Sequence, residues 1–237
     1  DVAEGTETIA AYAVSSAALT EVVFPESLRV IGNYAFYDCT ALQAPVFPDG
    51  LQEIGNYAFD VGYLSFEPEQ IPEEPVSIVL GSALQIVGDH AFAGWLHKTF
   101  TVSSENRHFS VKDGVLMNKA GDALLQGSLS KESIFILPEG TLAFSMSLLD
   151  FLDNLNVWSD TTTKHIVVPA SVVSFPETVN SYDAENLFFH CPAGSEAEKF
   201  CLRLGLPFDN VMETEFTYET VATPKGEMTF RMHSEDA

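Results

Sequence analysis

The side chains that usually carry chemistry are present, but their spacing nominates no catalytic centre. Six histidines occur: His90, His97, His108, His165, His190 and His233. None has a neighbour at the HExxH spacing or at another metal-ligand spacing. His97 and His108 flank an aromatic stretch, and with Glu105 they are the one combination that suggests a metal set. Three cysteines, Cys39, Cys191 and Cys201, are too few for a disulfide framework, and no CxxC pair occurs. Cys39 lacks a nearby base, so it reads as a small core hydrophobe rather than a nucleophile. Cys191 and Cys201 lie ten residues apart. A bridge between them needs Cα atoms within about 7 Å; the reading is two unpaired buried thiols, with a disulfide as the alternative. Ser195 follows a glycine, but no GxSxG surrounds it. It stands three residues before Glu198, the spacing of a helix capping box. Phosphate-binding glycine loops and the DxDxDG calcium pattern are missing, and Asp113-Gly114 and Gly121-Asp122 read as turns. Among 34 acidic residues, a carboxylate pair at about the 5–9 Å of a glycosidase could arise by chance. The expectation is therefore no catalytic residue, no metal and no cofactor.

Charge narrows the partners further. The 237 residues hold 11 basic and 34 acidic side chains, a net charge of -23. Residues 1–99 alone hold 14 acidic and 2 basic ones, so the acidity runs through the folded part and is not a tail. Such a surface repels nucleic-acid phosphates and anionic lipid headgroups. It also favours solubility. No apolar run reaches the ~18 residues of a membrane span. The N-terminus lacks a basic stretch before an apolar one, and the expectation is that a signal peptide has been removed.

The elements that position these residues come from a repeat. Residues 24–36 read FPESLRVIGNYAF, and residues 47–59 read FPDGLQEIGNYAF, 23 positions later. A third copy, LGSALQIVGDHAF at 80–92, follows after 33 positions, so ten residues are inserted within a Pro- and Glu-rich segment. Degenerate copies follow as LPEGTLAF at 137–144 and VPASVVSF at 168–175. Each unit starts with alternation: Leu19, Val22 and Phe24, then Leu42, Pro45 and Phe47. This predicts a short strand with one inward edge. A turn follows, and Leu28 and Ile31, like Leu51 and Ile54, bring the chain back inward. Gly32 and Gly55 fit corners where a Cβ would clash. Ala35 and Phe36, like Ala58 and Phe59, close the unit on the core. A single unit cannot bury its own apolar edge, so the units must stack.

The pattern L..VVFP..L..IGNYAF..C..L from Leu19 to Leu42 resembles the BspA-like leucine-rich repeat family of bacterial surface proteins. Residues 105–128, ENRHFSVKDGVLMNKAGDALLQGS, and residues 187–211, LFFHCPAGSEAEKFCLRLGLPFDNV, resemble other pieces of that family. The first reads as an Asn–aromatic pair, a strand, a turn and a second strand. The second reads as a strand, a capped helix, a glycine and a Pro-Phe strand. The resemblance implies a strand-rich α/β repeat, a right-handed leucine-rich-repeat solenoid with short helices or 3₁₀ turns. Its expected bounds are 19–211, irregular over 145–186, with residues 1–18 as an N-terminal cap or leader remnant. The stretch with Met146, Leu149 and Leu152 has helical spacing. Residues 212–237 alternate around a Pro-Lys-Gly turn and predict a C-terminal β-hairpin cap.

Strand alternation sends every second side chain outward. The outward set is Glu21, Val23, Ala44, Val46, Val79 and Val167. The four valines occupy equivalent slots, which predicts an apolar ridge across adjacent strands. Ordinary β-propensity on a covered sheet would produce the same valines, so the ridge marks a contact surface only where no segment covers it. The resemblance implies a secreted or cell-surface, non-enzymatic, adhesion-type module that binds extracellular host or community proteins. A structural spacer, or a carbohydrate-active or peptidase domain using acidic residues of 145–186, are the alternatives.

Overall fold

In the repeats, each corner is tight enough that one unit's backbone lies directly on the next. A computed structural model describes residues 1–15, 17–61, 74–95, 98–127, 134–144, 164–178 and 187–210, with two further strands, 218–222 and 228–232. The chain is a strand-rich β-solenoid of about seven turns with very little helix. Two-residue strands β1 (Thr8–Ile9), β2 (Val30–Ile31) and β3 (Glu53–Ile54) form a parallel ladder. After β4 (Val76–Leu80), the ladder is continued by β5 (Ile86–Val87). Its register aligns Ile9, Ile31, Ile54 and Val87.

The NYAF corners form a second ladder. The amides of Tyr12, Tyr34 and Tyr57 donate to the carbonyls of Asn33, Asn56 and Asp89 (3.1, 2.9 and 2.8 Å). Side chains repeat the link: Asn33 Oδ1 accepts from the Asn56 amide (2.8 Å), and Asn56 Oδ1 from the Asp89 amide (2.9 Å). The corner glycines permit this approach. A Cβ on Gly55 would lie 2.5 Å from Asn33 Oδ1 and 2.6 Å from its amide nitrogen. The left-handed backbone falls two residues beyond the corner glycine, on Tyr34, Tyr57 and His90, with φ between 54° and 57°. Such a φ is uncommon for a bulky residue. Here the rings stack in one column, Tyr12–Tyr34–Tyr57–His90, with centroids 4.8–4.9 Å apart.

Among the described residues, the predicted strand at the head of each unit is missing from the first two copies and present in the third and in the two degenerate ones, before Leu137 and Val168. In the third, β4 pairs in parallel with β6 (Lys98–Val102). Residues 19–25 and 42–48 carry no strand; Pro45, inside the second of them, lacks the N–H that a ladder between the two needs. Their inward residues still behave as expected: Phe24, Leu42 and Phe47 are buried. The ladder also begins earlier than residue 19. Ile9-Ala10-Ala11-Tyr12-Ala13-Val14 is a degenerate corner that pairs with the next unit through β1.

Beyond β6 the chain forms a three-stranded antiparallel unit, β7 (Phe109–Lys112), β8 (Val115–Asn118) and β9 (Leu124–Gln126). Asn106 anchors its start. Its Nδ2 donates to the Gly81 and Leu84 carbonyls (both 2.9 Å), and its Oδ1 accepts from the His108 and Phe109 amides (2.8 and 2.9 Å). A parallel sheet follows in the order β10 (Ile134–Ile136), β11 (Lys164–Val167), β12 (Leu187–Cys191) and β13 (Phe208–Asn210). Between β12 and β13 lies α1 (Glu196–Leu204), the one helix among the described residues. The C-terminal hairpin is present as β14 (Tyr218–Ala222) and β15 (Met228–Met232), paired antiparallel. Residues 145–163, where helical spacing was read, lie outside the described residues, as do most of the inserted segment and residues 179–186.

Two apolar clusters run along the axis. The first stacks Phe36 on Phe59 and Phe59 on Phe92, at 5.0 and 6.2 Å. The second gathers Phe144, Phe189 and Phe200.

Candidate binding face

Because the first two units are offset by one turn of the solenoid, Val23 and Val46 come to lie side by side, and Val79 continues the row. Below them Phe24 and Phe47 are buried and stacked at 5.9 Å. Their burial fixes the valines outward. Val23, Val46 and Val79 are 50%, 87% and 59% exposed. They line a groove of about 610 Å³ whose other walls include Gln43, Ala44 and Pro45 and whose acidic members are Glu21, Glu26 and Asp49. The nearest basic side chain in sequence, Arg29, is tied to the Glu26 and Leu28 carbonyls (2.7 and 2.9 Å).

Five of the six outward residues therefore come together: Glu21, Val23, Ala44, Val46 and Val79. Val167 does not join them. The β7–β9 unit and a change of sheet separate it from the first units, and in its own sheet it pairs with Ile136 and His190. The expected four-valine ridge is thus a row of three. Ile136, in the same slot of the 137–144 copy, is 53% exposed and was hidden by the degeneracy of that copy.

The same outer face carries a chain of polar side chains that spacing could not reveal. His165 Nδ1 lies 2.8 Å from His190 Nε2, and His190 Nδ1 lies 2.8 Å from Asp209 Oδ1. The residues are 25 and 19 positions apart, and only the parallel register of β11, β12 and β13 unites them. Burial, then the neighbouring His190, lower the His165 pKa, and Asp209 opposes them.

The remaining candidates take structural places. His90 ends the tyrosine column, buried, with neither ring nitrogen hydrogen-bonded. Cys39 is buried against the Val14 carbonyl (3.1 Å), and burial raises its pKa. Cys191 and Cys201 are free, buried thiols that hydrogen-bond each other, which favours ionisation of Cys191 over Cys201. Ser195 caps α1, accepting from the Glu198 amide (3.2 Å), while Glu198 reaches back to the Gly194 amide. Lys98 is buried, donates to the Trp95 carbonyl (2.7 Å), and burial lowers its pKa to about 7. His97 lies outside the described residues. Among the described residues, no group of three His, Cys, Asp or Glu side chains could hold a metal ion. No helix among them is long and apolar enough to cross a membrane.

The stacked corners match a known sequence pattern, the BspA type leucine rich repeat region, over residues 7–73. Residues 7–73 are a BspA-type leucine-rich repeat region. No curated protein matches the chain. Solved structures do. The pneumococcal vaccine antigen PcpA shares 21% identity with a TM-score of 0.54, over 74% of this chain and 40% of its own. A leucine-rich repeat protein from Eubacterium ventriosum shares 16% identity with a TM-score of 0.51, over 80% of this chain and 48% of its own. A leucine rich cell surface protein from Faecalibacterium prausnitzii shares 21% identity with a TM-score of 0.47, over 66% of this chain and 37% of its own. At these identities the likeness is one of fold, and the chain spans less than half the length of each of these proteins.

Proposed function

We propose that this chain is a non-enzymatic, adhesion-type protein-binding module of a bacterial surface protein, working outside the cell or on its surface. Its docking site is the groove of Val23, Val46 and Val79, and its partner is an extracellular host or community protein. The exposure of Val46, 87% on a continuous apolar row, carries this reading. A monomer gains nothing from an aligned apolar row left in water, whereas an interface core is built from such rows. The acidic residues Glu21, Glu26 and Asp49 beside the groove, on a chain of net charge -23, select a partner segment that is apolar and cationic. Interaction modules built from stacked repeats use the extended surface that stacking creates.

Capture on immobilised protein tests the proposal. Extracellular-matrix and cell-surface proteins are passed over the wild type, over Val46→Ser, and over the triple change Glu21→Gln, Glu26→Gln, Asp49→Asn. Full burial of a valine is worth about 1.5 kcal/mol or more, so Val46→Ser should weaken capture about tenfold. The triple change should lower the association rate and flatten its salt dependence. A partner held equally by all three forms would place the site elsewhere. Failure of every form to capture anything would favour the spacer reading.

A further inference from the structure

The outer face of β11–β13 holds a hydrogen-bonded chain whose proton count is fixed by its geometry. Asp209 is a carboxylate acceptor, so the nitrogen that faces it at 2.8 Å, His190 Nδ1, must carry the proton. Neutral His190 then has a bare Nε2, which at 2.8 Å must accept from His165 Nδ1–H. Neutral His165 is left with a lone pair on its own Nε2, the free end of the chain. The opposite tautomers would set a bare nitrogen against the carboxylate at hydrogen-bond distance.

We propose that His165, His190 and Asp209 form a proton-operated switch on the strand face. The pair takes its first proton at His165 Nε2, and every contact survives: the proton between the rings stays on His165 Nδ1 or passes to His190 Nε2, and His190 still donates to Asp209. The second proton leaves both facing nitrogens, His165 Nδ1 and His190 Nε2, protonated. Two N–H groups would then point at each other across 2.8 Å, so the His165–His190 contact breaks. The rings, now stacked with centroids 5.1 Å apart at 19°, separate as a pair of cations. His190 keeps Asp209, and His165 swings free beside Phe188, which it now meets at 5.6 Å. A closed patch with the single negative charge of Asp209 becomes an open one with a single net positive charge, on an otherwise acidic chain.

Among the described side chains, these three groups are in control. β10 holds only Ile134, Phe135 and Ile136 and contributes no titratable side chain; β12 contributes His190 and β13 contributes Asp209. His190 and Asp209 are the charges that act on His165. The two histidines therefore load their protons as a coupled pair, in two macroscopic steps.

Imidazole nitrogen NMR on ¹⁵N-histidine-labelled protein tests the switch between about pH 5 and pH 8, the range in which histidine titrates. At the alkaline end both rings should be Nδ1–H tautomers. On acidification, the pair should gain its first proton with the ring-to-ring contact intact. The second step should lie more than about one pH unit lower, the mark of strong coupling, and ring-to-ring contacts should vanish with it. Asp209→Asn should move His165 uptake to lower pH, because the variant removes the charge that favours the cation. His190→Gln should abolish the two-step behaviour and leave one ordinary titration for His165. An Nε2–H tautomer on His165 at the alkaline end would overturn the proposal. So would two rings that titrate at one midpoint, or ring contacts that persist through both steps.

Discussion

Gly55→Ala should separate the first three units of the solenoid. The added Cβ would sit 2.5 Å from Asn33 Oδ1, 2.6 Å from the Asn33 nitrogen and 2.7 Å from the Gly32 carbonyl carbon. Two of these atoms are backbone, so no rotamer change relieves the contact. The corner must move away from the preceding unit. That movement strains two hydrogen bonds, from the Gly55 amide to the Ile31 carbonyl (2.8 Å) and from the Asn56 amide to Asn33 Oδ1 (2.8 Å). Overpacking costs about 1–3 kcal/mol, and each weakened bond adds about 1 kcal/mol. The sum is about 3–5 kcal/mol. Gly194→Ala is the matched control. Its Cβ would meet nothing within 4 Å, and only its φ of +77° opposes the change, a cost of about 1 kcal/mol. Native-state hydrogen exchange is the suitable assay, because stacked repeats need not unfold in one step. Protection should fall at the amides of residue 55, Tyr34 and Asn56 in the first variant and stay unchanged there in the second. Equal losses in both variants would refute the close-approach argument.

Asn106→Ala should cost about 3 kcal/mol or more by urea denaturation, because it strands two carbonyls and two amides around a side chain only 1% exposed. Ser195→Ala should cost about 1 kcal/mol and fray the first turn of α1, read as faster exchange at the Glu198 amide. The depressed His165 pKa makes stability depend on pH. The unfolded chain, with an ordinary histidine near 6.5, binds the proton first as pH falls. The contribution is therefore complete above about pH 7, and it is lost as pH falls through 6.5 towards the lower folded-state midpoint. Calorimetric melts across that range should show a decline that His165→Gln flattens.

The identical IGNYAF segments made the solenoid legible, because a six-residue identity at a fixed offset admits few other folds. The inward set read from them, Leu28, Ile31, Ala35, Phe36, Leu51, Ile54, Ala58 and Phe59, is buried throughout. The left-handed tyrosines were less legible, since the glycine two residues earlier drew the corner to itself. IAAYAV escaped notice because alanines replace the glycine and asparagine that mark the other corners. The expected head strands failed in the first two copies, where Pro45 removes a backbone donor while side-chain alternation persists. On the candidate face, alternation placed Val23, Val46 and Val79 correctly in space. Val167 was misplaced because equivalent slots in sequence say nothing of an intervening antiparallel unit. His165, His190 and Asp209 carry no local motif at all, since three separate strands bring them together.

Hydrogen exchange on the complex with a captured partner tests the docking site most directly. Protection should appear at the amides of 21–24, 26, 43, 44, 46 and 47, which line the groove. The opposite corners, 33–38 and 56–60, should be unchanged. Protection confined to those corners, with the groove amides exchanging as in the free chain, would contradict the assignment of the valine face as the binding site.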